Sequence, residues 1–160
     1  MSNARNLASF LGTSTTVPSG KIVTASLPTG SVLQAITAQK TGIYDATTSL
    51  ADVGLSAAIT PSSSNSKILV LHSAPGIALG AGDALVILLR GSTTVYNFNG
   101  YNSGSSWDAA PTTFSYLDSP STTSAITYKI QAKKNSGTFY YNYTNSVPSQ
   151  ATLTLLEIAG

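Results

Sequence analysis

From Val32 onward the apolar runs are short, and each one ends in a cluster of Ser, Gly, Pro, Asn or Asp. No segment carries apolar residues at helical spacing over a useful length, whereas runs rich in Val, Ile, Leu, Thr and Tyr recur at the pace of all-β sandwiches and barrels. The pattern predicts strands over 32–40, 54–60, 67–73, 84–90, 93–98, 112–117, 125–133, 138–143 and 151–158. The breaks between them are TPSSSNS (60–66), PGIALGAGD (75–83), DSPSTTS (118–124), KNSG (134–137) and TNSVPSQ (144–150). In ITYKIQA the faces separate cleanly: Ile126, Tyr128, Ile130 and Ala132 on one side, Thr127, Lys129, Gln131 and Lys133 on the other. That alternation marks a strand with one core face and one wet face.

Two strands depart from it. ALVILLR (84–90) is apolar on both faces, so it needs cover from the core and from a second source, another subunit or an arm. TLTLLEIAG (152–160) sets Leu153 and Leu155 one way and Leu156 and Ile158 the other, which places this strand centrally in a sheet or at an oligomer axis. In AKKNSGTFYYNY (132–143) the turn chemistry of Asn135-Ser136-Gly137 predicts a β-hairpin, with Gly137 at positive φ. Phe139, Tyr141 and Tyr143 then share one face, Tyr140 and Asn142 the other.

Residues 1–31 read differently. Pro18, Pro28, Gly12, Gly20 and Gly30 interrupt every element, so this stretch is expected to be an arm preceding a single β-domain over 32–160. Leu7, Phe10 and Leu11 form one short apolar turn at helical spacing, and the arm is expected to dock them on a neighbouring subunit rather than to trail as a tail.

The chain has 8 basic and 6 acidic residues in 160, or 9% charged, against about 25% in an average domain. Its exterior is built from 24 Ser and 21 Thr instead. Such a surface is polar, weakly charged and suited to packing against protein. A net charge of +2, with only Lys133 and Lys134 adjacent, gives no basic stripe, and nucleic-acid binding is set aside. There is no cysteine, hence no disulfide framework and no thiolate site. ALVILLR is too short to cross a bilayer and the start has no apolar h-region, so a soluble chain made in a cytoplasm is expected, with no membrane partner.

Catalytic chemistry finds little to use. His72, the single histidine, lies within KILVLHSA, an aliphatic strand where a structural histidine bonded to backbone is expected rather than a general base. The six acids, Asp45, Asp52, Asp83, Asp108, Asp118 and Glu157, are scattered without dyad spacing. Asp83 and Asp118 stand where loops meet strands and read as turn residues rather than calcium ligands. GIALGAGD lacks the Gly-Lys-Ser/Thr of a phosphate loop, and no cofactor is expected. Asn142-Tyr143-Thr144 matches a glycosylation acceptor by chance composition. The longest polar excursion, NFNGYNSGSSWDAAP (97–111), carries Phe98, Tyr101, the single tryptophan Trp107, and Asp108. Aromatics among Asn and Asp on a loop can stack on sugar rings and bond their hydroxyls, and this is the candidate ligand loop; the alternative is that Trp107 folds back to cap the sandwich.

The segment SYLDSPSTTSAITYKIQAKKNSGTFYYNY (115–143), closing with ATLTLLEIAG (151–160), resembles a domain of structural proteins of tailed bacteriophages, marine ones in particular. TPSSSNSKILVL (60–71) and LLRGST (88–93) extend the resemblance from about Gly54 to Gly160. It implies a tail-fibre or decoration-type virion protein whose order of elements is similar to the trimeric jelly rolls of the complement-C1q and tumour-necrosis-factor kind. The expectation is therefore an all-β jelly-roll sandwich with an extended N-terminal arm, a homotrimer without enzymatic activity on the virion surface. Because the chain is little more than an arm and one domain, a capsid decoration (cement) protein contacting the major capsid protein or other virion proteins comes first. A short tail fibre meeting a host surface glycan is the alternative.

Overall fold

The computed structural model describes residues 27–104, 108–143 and 150–160. Among these there are ten strands and no helix. One sheet, A, sets β1 (Val32–Thr41), β10 (Gln150–Ile158), β4 (Lys67–Leu79) and β7 (Asp108–Asp118) side by side. Beyond the end of β10, β9 (Phe139–Tyr141) pairs with the last residues of β4 and in turn with β2 (Tyr44–Asp45). The other sheet, B, has the order β3 (Ala51–Ile59), β8 (Ile126–Lys134), β5 (Gly82–Arg90) and β6 (Thr93–Asn102). Every pairing is antiparallel. This strand order is a jelly-roll β-sandwich.

The core is the slab between the sheets. Val53, Leu55, Ala57 and Ile59 of β3 all face inward, as do Tyr128, Ile130 and Ala132 of β8 and Leu153 and Leu155 of β10. Each large apolar side chain of this set contributes about 1.5–3 kcal/mol by leaving water. The face assignment expected for ITYKIQA is the one observed, with Thr127 exposed and Tyr128, Ile130 and Ala132 buried. β10 lies centrally in sheet A, as its two apolar faces required. In β5 the inward Ala84, Val86 and Leu88 are buried, and so are the outward Ile87 and Leu89, which Gln131 and Lys129 of β8 flank in register.

Three local expectations are corrected. First, PGIALGAGD does not end its strand: β4 continues to Leu79. Pro75 and Gly76 instead produce an irregularity in the β4–β7 pairing, between Ala74 and Ile77, a bulge position that tolerates proline. Gly76 is needed there because Tyr143 bonds its carbonyl (2.8 Å), and a Cβ would collide with the Tyr143 carbonyl oxygen.

Second, the 97–111 excursion is mostly strand. β6 runs to Asn102 in register with β5, and β7 begins at Asp108 opposite Leu79.

Third, AKKNSGTFYYNY is not a hairpin. β8 belongs to sheet B and β9 to sheet A, so 135–138 is a corner where the chain crosses the sandwich. Gly137 has the expected positive φ (67°). The corner grips the β4–β5 crossing: Gly80 N–H donates to Thr138 O (2.9 Å), Asn135 N–H to Asp83 O (2.9 Å) and Ser136 Oγ to Asp83 Oδ1 (2.9 Å). Asn142 is left-handed (φ 60°), which reverses the alternation after Tyr141, so Tyr143 stacks on Tyr140 (5.8 Å) instead of sharing the face of Tyr141. The buried Asn142 donates from Nδ2 to the carbonyls of Lys40 (3.1 Å) and Gly42 (2.9 Å).

Candidate interaction surfaces

The ionisable side chains come first, because their partners decide whether chemistry remains for them. His72, on the inward face of β4, is 3% exposed; its Nε2 pairs with the Tyr141 hydroxyl (2.7 Å), and its ring stacks on Phe114 (4.6 Å between centroids, 15°). The partner is thus a buried phenol rather than backbone. Burial holds the imidazole neutral, with its pKa pushed down to about 4, and pushes the Tyr141 phenol up. Such a histidine is a core element, since no solvent-facing group can exchange its proton.

Asp118, 5% exposed at the end of β7, accepts from Arg90 Nη1 on both carboxylate oxygens (2.9 Å each) and from the Tyr128 hydroxyl on Oδ2 (2.6 Å), tying sheet A to sheet B at one pole. Its role is a cross-sheet tie, beyond the turn residue expected. Glu157, 1% exposed on the inward face of β10, accepts from Ser62 N–H and Oγ (2.7 Å each) and from Gln34 Nε2 (2.6 Å). Burial raises its pKa, but the hydrogen bonds from Ser62 and Gln34 outweigh this and hold the carboxyl below the usual range. Asp52 is lowered by the Gln131 hydrogen bond and then by Lys129. Asp83 clamps the corner described above. Among the described residues no three His, Cys, Asp or Glu side chains gather as a metal site would require.

What remains for function is surface. On the outer face of sheet A the register aligns Ala35 of β1, Leu156 of β10, Leu69 of β4 and Leu117 of β7 in one row across four strands. Leu71 lies one row along β4, and Val32 and Ile158 pair at the row's other side. Leu117 is 52% exposed and Val32 55%. The rows beside it are Thr37, Thr154 and Ser115, then Gln39, Thr152, Ser73 and Thr113; among the described residues the charged side chains on this face are Lys67 at one end and, where β2 pairs with β9, Asp45 at the other. An apolar strip on a hydroxyl background, almost free of charge, is the composition of a surface that packs on protein.

A second feature lies at the opposite end of the sandwich from the pole where Gly30 N–H donates to Ala159 O and Ala159 N–H to Ser31 O (2.8 Å each). There a cleft of ≈ 210 Å³ opens between β6 and β4, lined by Ile77, Leu79, Phe98, Asn99, Gly100 and Tyr101. Tyr101 is the most exposed of the large apolar side chains at 76%.

Of the four ligand-loop residues, the structure brings Phe98 and Tyr101 to this cleft, Phe98 packing against the core and Tyr101 at the lip. Asp108 begins β7, and Trp107 lies outside the described residues. So do the arm residues Leu7, Phe10 and Leu11. Sequence reasoning missed Ile77 and Leu79, because Pro75-Gly76 reads as a stop, and missed the outer-face row, because its members come from four strands paired over long distances.

No protein-family model matches the chain, and no curated protein matches it. Among solved structures, it is similar to chains of infectious bursal disease virus: the Gt strain structure (TM-score 0.40, 14% identity over 79% of this chain and 33% of that chain) and the VP2 subviral particle (TM-score 0.33, 14% identity over 80% of this chain and 42% of that chain). The chain therefore spans well under half the length of each of these, and the fold assignment rests on its own strand order.

Proposed function

We propose that this chain is a non-enzymatic structural protein of a tailed-phage virion, a homotrimeric capsid decoration protein held by its N-terminal arm. The single observation that supports this most is the outer face of sheet A, whose register-aligned leucines would otherwise stand in water. Burying them against sister subunits follows the ordinary economy of about 25 cal/mol per Å² of apolar surface. The motif resemblance supplies the virion setting, and the engagement of Asp52, Asp83, Asp118 and Glu157 in internal hydrogen bonds supports binding rather than turnover. Leu7, Phe10 and Leu11 would reach the major capsid protein or another virion protein, and threefold repetition would turn three weak anchors into one firm attachment.

Sedimentation at micromolar concentration tests the reading: three chains of 16.4 kDa give about 49 kDa, and a 16.4 kDa species would sink the trimer. Removing residues 1–20 is expected to release the protein from capsids with the domain still folded. A copy number of a few dozen or fewer per particle would favour the second reading, a short tail fibre, to which the Tyr101 cleft lends support.

A further inference from the structure

Gly100 stands within β6, paired with Ala84, at a position where strand chemistry gives no reason for glycine. It is not among the glycines with positive φ, so any residue can adopt its backbone. No backbone approaches it either. A Cβ there would meet only side chains at ordinary contact distance: Leu79 Cδ2 at 3.5 Å, Ile77 Cδ1 at 4.0 Å and Phe98 Cε1 at 4.0 Å. Glycine inside a strand weakens it, and where neither turn nor backbone contact needs it, the space it leaves is the remaining explanation. That space is the floor of the cleft.

We propose that this cleft binds one neutral pyranose ring of a glycan. Its walls, Ile77, Leu79 and Phe98, are apolar, and among the described residues no acid or base lines it. Those residues offer an anionic sugar, a phosphate or a cation no counter-charge. Along β6, the edge strand of sheet B, alternation turns Asn99 and Tyr101 to solvent while Phe98 and Gly100 face in, and both exposed residues also line the cleft, so an aromatic residue and a carboxamide residue stand at its mouth. A pyranose presents the matching pair of surfaces, an apolar C–H face and a rim of hydroxyls. The volume is below the ~300–1,000 Å³ of pockets that enclose whole drug-sized ligands, which fits one ring of a longer chain whose remainder stays in solvent. Asn102 does not compete for the ligand, because its Nδ2 donates to Leu79 O (2.8 Å) and its Oδ1 accepts from Gly104 N–H (2.8 Å), fixing the cleft's end.

The site goes beyond the assembly role and does not depend on it. β4 spans 13 residues from the pole where Gly30 and Ser31 meet Ala159 to Leu79, so the cleft lies roughly 40 Å from that pole, at about 3.3 Å per residue.

The test is binding of the full chain to an array of neutral and sialylated or sulfated oligosaccharides, followed by titration of the best neutral oligosaccharide while aromatic NMR signals are watched. The expected result is binding confined to neutral glycans, a shift of the Tyr101 resonances, and an affinity at least ten-fold lower in both Tyr101→Ala and Gly100→Val. Tyr101 is too exposed for its loss to unfold the domain, so that variant stays informative even if the larger side chain at 100 disturbs packing. Absence of binding to every neutral glycan, binding that both variants retain, or stronger occupation by an indole probe such as N-acetyltryptophanamide would overturn the proposal. The oligomer mass is read separately, so failure here leaves the trimer reading standing and the reverse holds too.

Discussion

The two sheets of this sandwich have opposite polarity. Sheet B carries charge on its outer face: Val53, Leu55, Val86, Leu88 and Ile130 point in, while Asp52, Lys129, Gln131 and Lys133 point out and flank the apolar side chains of β5 that turn the same way, among them the covered Ile87 and Leu89. Sheet A carries its leucines outward as well as inward, and the buried polar side chains His72, Thr112, Asp118, Asn142 and Glu157 all belong to its strands or the turn after β9. A sheet apolar on both sides behaves as a middle layer, the pattern of strands covered twice. The contrast shows that one fold can hold an outer face carrying charge and another carrying leucines among hydroxyls.

The strongest way to break this contrast is to charge the apolar face. Leu69→Lys with Leu117→Lys sets like charges beside each other across β4 and β7, and the sedimenting species is expected to fall from about 49 kDa to 16.4 kDa with the β-sheet circular dichroism unchanged. A double variant that still sediments as a trimer would place the contact elsewhere.

Next in size is the tie between the sheets. Asp118→Ala leaves the Tyr128 hydroxyl buried and Arg90 unpaired, and chemical denaturation is expected to show a loss of about 3–5 kcal/mol.

Acid sharpens the comparison further, because the buried groups that respond, His72 and Glu157, sit inside sheet A, whereas Asp52 of sheet B is exposed. His72 has a folded-state pKa depressed from 6.5 to about 4, so the unfolded chain takes up its proton first as pH falls. The stability it leaves intact above pH 6.5 is lost progressively down to about pH 4, a total of roughly 3 kcal/mol. Glu157, also depressed, adds to the loss at lower pH. Denaturation midpoints measured across this range, with His72→Gln as the flattened control, check the slope.

The smallest effect belongs to sheet B. Gln131→Lys on its outer face is expected to change stability by less than about 0.5 kcal/mol and the sedimenting mass not at all.

How far the sequence reaches follows the distance over which each feature is set. The faces of β8 were legible because alternation is a property of neighbouring residues, and Gly137 announced its positive φ because turn chemistry is equally local. Whether the chain returns to the same sheet after that turn was not legible: the choice is made by Tyr141 pairing with Tyr44 and Ile77, which are far away in the sequence. Pro75-Gly76 misled for the same reason, since only the carbonyl of Tyr143 distinguishes a bulge from a stop. Of the cleft, Phe98 and Tyr101 were found by type, while the reason they matter, the bare floor at Gly100 between two sheets, exists only once β4 and β6 face each other. Of the outer-face row only Leu156 stands out in TLTLLEIAG, as one of two apolar residues on that strand's second face; Ala35, Leu69 and Leu117 join it only through long-range pairing.

The position of β10 bears on how the molecule is made. It lies between β1 and β4, with Thr37 opposite Thr154 and Thr154 opposite Leu71, so neither neighbour touches the other without it. During synthesis β1, β4 and β7 emerge first, and the gap between β1 and β4 stays open until the last strand slots in. Until β10 is made, then, the leucines of β4 and β7 have no complete sheet to sit on, and a chain cut short before residue 150 lacks the row in which Leu156 joins Ala35 to Leu69.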